Sequence, residues 1–130
     1  GKAFAVNSPN DLRGRSVGMV RGYAYPDLKN LIAEGLLDRR DALNEALLLK
    51  MMAAGRFDQI IINKAVAQYS IFNVPEYRYF EVGDVMNSYD VSMRVNPRHE
   101  AWLPELDEAI LQLKKSGTIE KIYAKYGVSL

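Results

Sequence analysis

A chain of 130 residues with a hydrophobic fraction of 48% can bury one real core, so it is globular and not disordered. Seventeen basic residues against sixteen acidic ones leave a net charge of +1, with no run of like charges to make a phosphate-binding stripe, so nucleic acid is not an implied partner. The absence of cysteine excludes a disulfide framework, a thiolate zinc site and a cysteine nucleophile, and no apolar stretch approaches the roughly 20 residues that span a bilayer.

The chain opens on Gly1-Lys2-Ala3-Phe4, which lacks the pattern of a signal peptide; the missing initiator Met reads as a processed chain or an excised piece. Ser16 to Val20 is short, apolar and β-compatible, and it runs through Arg21-Gly22 into Tyr23-Ala24-Tyr25-Pro26-Asp27 before Leu28, Leu31 and Ile32 take up helical spacing. This predicts strand, glycine turn, helix. Pro26 in the first turn costs no hydrogen bond, and Gly35 suits the stop. A second helix is predicted from Leu43 to Ala54, ended by Gly55. The unbroken run Gln59-Ile60-Ile61-Ile62 suits a strand buried on both faces. A short helix from Ala65 to Phe72 and a strand from Tyr77 to Val82 complete an alternation that indicates a mainly parallel α/β sheet.

After Gly83 the character changes, and a boundary is expected near Asn87-Ser88. Tyr89 to Val95 alternates like a strand, and Asn96-Pro97 makes a turn. The longest helix is predicted over Glu100 to Lys115, with Trp102, Leu103, Leu106, Ala109, Ile110 and Leu113 on one apolar stripe. Gly117 ends it, and Thr118 is expected to cap a last helix in which Ile119, Ile122, Tyr123 and Tyr126 share a face.

In a parallel α/β sheet, ligands collect beyond the carboxyl ends of the strands, where helix amino termini leave amides unpaired. Two segments meet that condition. In Arg21-Gly22-Tyr23-Ala24-Tyr25, Gly22 lets the backbone come close and the following helix start offers donors to an anion such as a carboxylate. The second segment is Asn63-Lys64, directly after the isoleucine run. Each residue also has a plainer role: Gly22 fits a tight turn, Tyr23 and Tyr25 suit either packing or a pocket wall, Asn63 suits a helix cap, and Lys64 a solvated charge. Asp41, Glu45 and Asp58 show no acid/base pairing, and Arg56-Phe57-Asp58 reads as a helix-to-strand connection. His99, the only histidine, sits at a helix start and reads as a surface residue with nothing around it for a triad or a metal site. Met51, Met52 and Trp102 read as core. No catalytic residue, metal ligand or cofactor is indicated.

The order of motifs resembles the family 3 extracellular solute-binding proteins, the type 2 periplasmic amino-acid and polar-solute receptors of bacterial ABC transporters. The resemblance rests on Asp11-Leu12-Arg13-Gly14-Arg15-Ser16-Val17-Gly18 before the glycine turn, on Ala54-Gly55-Arg56-Phe57-Asp58 before the buried strand, and on the ending Ser116-Gly117-Thr118-Ile119-Glu120-Lys121-Ile122-Tyr123-Ala124-Lys125-Tyr126-Gly127. It implies a periplasmic or other extracytoplasmic receptor whose two α/β lobes close on a ligand. Residues 1–88 would be the second lobe, a mainly parallel sheet flanked by helices. Residues 89–130, a strand and two helices, would return to complete the first lobe. The amino-terminal part of that first lobe, with its carboxylate-gripping Arg, has no counterpart, so the chain reads as a fragment with half a ligand site. Its uncovered helix stripe then implies a homodimer or an exchange of segments.

The same resemblance maps the site residues in part. Gly22-Tyr23-Ala24 stands where amino-acid receptors carry Gly followed by Thr or Ser, and Asn63 stands where they carry the Asp that pairs with the ligand's ammonium. Loss of that charge disfavours an ordinary amino acid. The function implied is non-enzymatic binding of a small polar or anionic solute, presented to a membrane permease. The alternatives are the sensor domain of a signalling protein on the same fold and, with no acid in the sequence to support it, a dehydratase-like enzyme.

Overall fold

The charged run Asp38-Arg39-Arg40-Asp41, which carries no apolar alternation, forms a strand. The computed structural model describes residues 6–57 and 59–130, so residues 1–5 and Asp58, the last residue of one quoted motif, lie outside the description. Among the described residues three strands, β1 (Ser16–Val20), β2 (Asp38–Ala42) and β3 (Gln59–Ile60), build an all-parallel sheet in the order β2-β1-β3. Ser16 pairs with Asp38 and Val20 with Ala42, while Val17 pairs with Gln59. Five helices accompany them: α1 (Lys29–Ala33), α2 (Glu45–Ala53), α3 (Lys64–Asn73), α4 (Leu103–Lys115) and α5 (Thr118–Lys125). The chain divides into two units, Gly1–Ser88 and Tyr89–Leu130.

In the first unit the period-two alternation of β1 feeds two cores. Val17 and Met19 point to one face, where Leu12, Leu28, Leu31 and Leu37 bury them. Val20 points to the other, where it meets Ala42, Leu48 and Phe57, with Ile60, Ile62, Met51 and Met52 around the margin. A strand buried on both sides matches the apolar run expected of a central parallel strand. Gly18 lies on the second face, and its missing side chain lets α2 and β3 close over the strand. The edge strand β2 keeps its charges in water and pairs them at i, i+2 on each side: Arg39 with Asp41 at 2.8 Å and Arg40 with Asp38 at 2.7 Å. Such an edge resists pairing with another sheet.

The helix signals hold with small shifts. Pro26 opens a 3-10 turn (Pro26–Leu28) that runs into α1, which stops before Gly35. Asn44 caps α2, its side chain accepting the Leu47 amide at 2.9 Å. Before β1, a 3-10 turn (Pro9–Leu12) is held by Asp11, whose Oδ2 accepts the amides of Ser8 at 2.8 Å and Asn7 at 3.0 Å. Those backbone donors hold the Asp11 carboxyl below its usual range, with a smaller contribution from the Ser8 hydroxyl. The stability it adds is therefore complete above the unfolded value of about 3.9 and is lost as pH falls through the lower folded value. Thermal unfolding of Asp11→Asn between pH 2 and 6 should show a shallower acid decline than the unaltered chain; parallel curves would contradict this.

Two expected strands do not form. Tyr77 ends a 3-10 turn (Pro75–Tyr77), and residues 79–96 are irregular, including the alternating segment from Tyr89 to Val95. Alternation supplies side chains for two faces but no backbone partner, and no neighbouring strand pairs with either segment among the described residues. Tyr89, Val91 and Met93 are exposed accordingly. In place of a strand, residues 86–87 return along the first unit: Met86 packs against the first core, and the Asn87 Nδ2 donates to Asp27 Oδ2 at 3.1 Å.

The second unit is led by a 3-10 stretch (Pro97–Trp102) that bends at His99 before α4. Trp102 is not a core residue: it is 57% exposed and stacks on the His99 ring at 4.3 Å. His99 is half-buried by that stacking, and its Nε2 accepts from Arg98 Nε at 3.1 Å. Thr118 is the first residue of α5 and not its cap. Gly117, in the left-handed region, occupies the cap position, and the Thr118 hydroxyl pairs with that of Ser116 at 2.7 Å. On α4, Leu106 and Ile110 are half-buried and Leu103, Leu111 and Leu113 exposed, so the apolar stripe is only partly covered.

Candidate functional site

Because the three strands run parallel, their carboxyl ends and the loops that follow lie at one edge of the sheet. Three hydrogen bonds fix the chain at this edge to neighbouring strand and helix ends. The Arg21 amide, just past β1, donates to the Ala42 carbonyl at the end of β2 at 2.8 Å. The Asn63 amide, past β3, donates to Glu45 Oε1 at the start of α2 at 3.3 Å. The Ile61 amide donates to the Gly18 carbonyl at 3.0 Å and is the last link described between β3 and β1. In the order β2-β1-β3, the chain leaves β1 toward β2 and returns across it to β3, so the crossover reverses direction between β1 and β3. That is where open parallel sheets form a ligand crevice. The loop from Arg21 to Tyr25 follows β1, and the pair Asn63-Lys64 follows β3.

The geometry gives each residue a definite place. Gly22 has φ +80, a conformation that side-chain-bearing residues rarely adopt, and the space beside its Cα is open. The Tyr23 amide closes the turn onto the Val20 carbonyl at 3.2 Å. Arg21, Gly22, Tyr23 and Ala24 are exposed, as are Asn63 and Lys64. The helix after Gly22 begins only at Lys29, beyond the 3-10 turn, so the donors beside Gly22 belong to a loop and not to a helix end.

Tyr25 differs from its neighbours. Its ring packs against the first core, and its hydroxyl oxygen accepts the Val20 amide at 2.9 Å. Within a strand, alternate residues turn their N–H and C=O to the same side, and the Gly18 carbonyl faces β3. The Val20 amide therefore also faces β3, and the tyrosine oxygen takes the place of a β3 carbonyl. This substitution accounts for the end of β3 pairing on β1 after Ile61, where the strands fork. Burial pushes the Tyr25 phenol above its usual range, outweighing the Val20 amide and the Arg39 charge, which lower it. It is a neutral hydroxyl at physiological pH.

Asn63 is a helix cap: its Oδ1 accepts the amides of Ala65 at 2.9 Å and Val66 at 3.3 Å. Asn63→Ala should cost about 1 kcal/mol in urea unfolding, and Asn63→Asp, which keeps an acceptor oxygen, distinctly less. Equal losses would show that capping is not what the residue contributes. Sequence reasoning missed two groups at this edge, Arg39 and Glu45. The Arg39 guanidinium lies 5.5 Å from the Tyr25 ring centroid and reaches the Val20 carbonyl at 3.5 Å. Its i, i+2 spacing to Asp41 was the available signal.

Among the described residues no group of three or more His, Asp or Glu side chains is placed to hold a metal ion, and no helix is long and apolar enough to cross a membrane. No family model matches the sequence, and no curated protein matches it. Solved structures that share its architecture include two ancestral proteins. One is an ancestral arginine-binding protein bound to arginine, with a TM-score of 0.70 and 23% identity over 95% of this chain and 55% of that one. The other is an ancestral arginine-binding protein bound to glutamine, with a TM-score of 0.68, 24% identity and the same coverage. The chain thus spans just over half the length of either structure. With its three-stranded parallel sheet flanked by helices, it has the fold of a type 2 periplasmic solute-binding protein lobe.

Proposed function

We propose that the chain is a receptor lobe that holds a small polar solute in the β1/β3 crevice without changing it chemically. The observation that supports this reading is the parallel order β2-β1-β3, in which the loops after β1 and β3 leave the same edge of the sheet beside a crossover reversal. Arg21, Gly22, Tyr23, Ala24, Tyr25, Asn63 and Lys64 line the crevice: the loop amides and Tyr25 supply donors, and Arg21 and Lys64 supply positive charge. The likeness to proteins that hold arginine and glutamine supports a solute of amino-acid size. Asn63, a neutral cap, offers no charge to an α-ammonium group, which favours a polar or anionic solute over a zwitterion.

In this reading residues 1–88 are the second lobe of a two-lobed receptor outside the cytoplasm, and residues 89–130 return to the first. Solute touching both lobes favours the closed form, which is presented to a membrane permease. The open apolar stripe of α4 gives the chain a tendency to pair with a second copy or exchange segments with it. Sedimentation over a hundredfold concentration range should show a dimer; a monomer throughout would contradict that part. The receptor reading itself is tested by thermal unfolding against amino acids, polyamines, organic acids, sugars and inorganic anions. A solute at about a hundred times its Kd stabilises the native state by about 2.7 kcal/mol, which moves the midpoint by several degrees. No shift with any of them would end the reading.

A further inference from the structure

On the β1 side of the fork with β3, several donors lack a partner among the described residues. The Val20 amide is spent on the Tyr25 hydroxyl oxygen at 2.9 Å, and the Val20 carbonyl accepts from Tyr23 at 3.2 Å and from Arg39 Nη2 at 3.5 Å. The remainder comprises the hydroxyl proton of Tyr25, the amides of Gly22 and Ala24, and the Nη hydrogens of Arg39. Among the described residues no acceptor is placed for the hydroxyl proton or either amide. Arg39 Nε is anchored on Asp41 Oδ1 at 2.8 Å, and its head group lies against the Tyr25 ring. Its contact with Val20 is at the long limit of a hydrogen bond and is easily exchanged for a better acceptor. A guanidinium held along one edge presents its remaining N–H groups as a fork that matches two oxygens.

We propose that the Tyr25 hydroxyl and the Arg39 guanidinium form an oxyanion seat at the β1/β3 fork, and that the solute places a carboxylate or another oxyanion there. The inference rests on the receptor reading and narrows it. Arg39 is the charged member, drawn from the edge strand of this unit, and Tyr25 is the neutral member, seated by the end of β1.

Calorimetric titration of the chain with acetate, succinate, sulfate and inorganic phosphate, beside putrescine and glucose, tests this. At least one oxyanion should bind. If the binder is a carboxylate, its uncharged amide should bind at least tenfold more weakly; if it is sulfate or phosphate, the inert neutral analogue dimethyl sulfone should. Tyr25→Phe and Arg39→Gln should each weaken the oxyanion by about ten- to a hundredfold, as expected for hydrogen bonds to a charged group. The neutral-analogue comparison uses the unaltered chain, so it decides even where a variant does not fold. Undiminished oxyanion affinity in folded variants, or equal affinity for the neutral analogue, would overturn the seat. Binding of putrescine or glucose without any oxyanion would also overturn it and leave the receptor reading standing, whereas the silence of every probe together with a flat thermal panel would remove both.

Discussion

Leu48→Ala is expected to lower the free energy of unfolding by about 2–5 kcal/mol, read from urea or guanidinium transitions. Leu48 is fully buried at the centre of the second core, between α2 and the β1 face that carries Val20. Truncation removes its transfer energy and leaves a cavity that a strand and a helix fixed by their own hydrogen bonds cannot close. The helix α2 also positions Glu45 against the Asn63 amide, so the loss should be felt at the crevice. A cost below about 1 kcal/mol would show that α2 does not pack against the sheet as described.

Gly18→Ala should cost about 1–3 kcal/mol by the opposite mechanism, overpacking. An added Cβ would stand 2.7 Å from Phe57 Cε2, 2.9 Å from Ile60 Cγ2 and 2.9 Å from Leu48 Cδ1, all closer than real contacts allow. Gly18 has an ordinary backbone conformation, so the penalty comes from its neighbours and not from strain at the residue. Because one of the three clashes is with Leu48, the double variant Gly18→Ala/Leu48→Ala should lose less than the sum of the single losses. Strict additivity would contradict the contact.

The parts of the fold that were legible in the sequence are those dictated locally. The strand Ser16–Val20 announces itself by an apolar run that two cores then bury, and the turn after it by a glycine that needs positive φ. The cap at Asn63 follows from a side-chain oxygen placed before a helical run. The strand Asp38–Ala42 was not legible because, as an edge, it faces water and is held by β1 backbone pairing and charge pairs. Tyr77–Val82 and Tyr89–Val95 mislead for the converse reason: their side chains suit a sheet, but no strand runs beside them. Both loops of the proposed site follow from chain order alone. The role of Tyr25 does not, because it depends on a hydrogen bond to a strand end, and Arg39 enters through the folding of β2 against β1.

The proposed receptor function requires that a single small solute touch the β1 and β3 loops together. Nitrogen–proton correlation spectra of the labelled chain, titrated with the solute that most raises its unfolding midpoint, test this directly. The amide signals of Gly22, Ala24, Asn63 and Lys64 should move together along one saturation curve. Movement confined to only one of these loops, or to the opposite end of the sheet around Ser16 and Asp38, would contradict it.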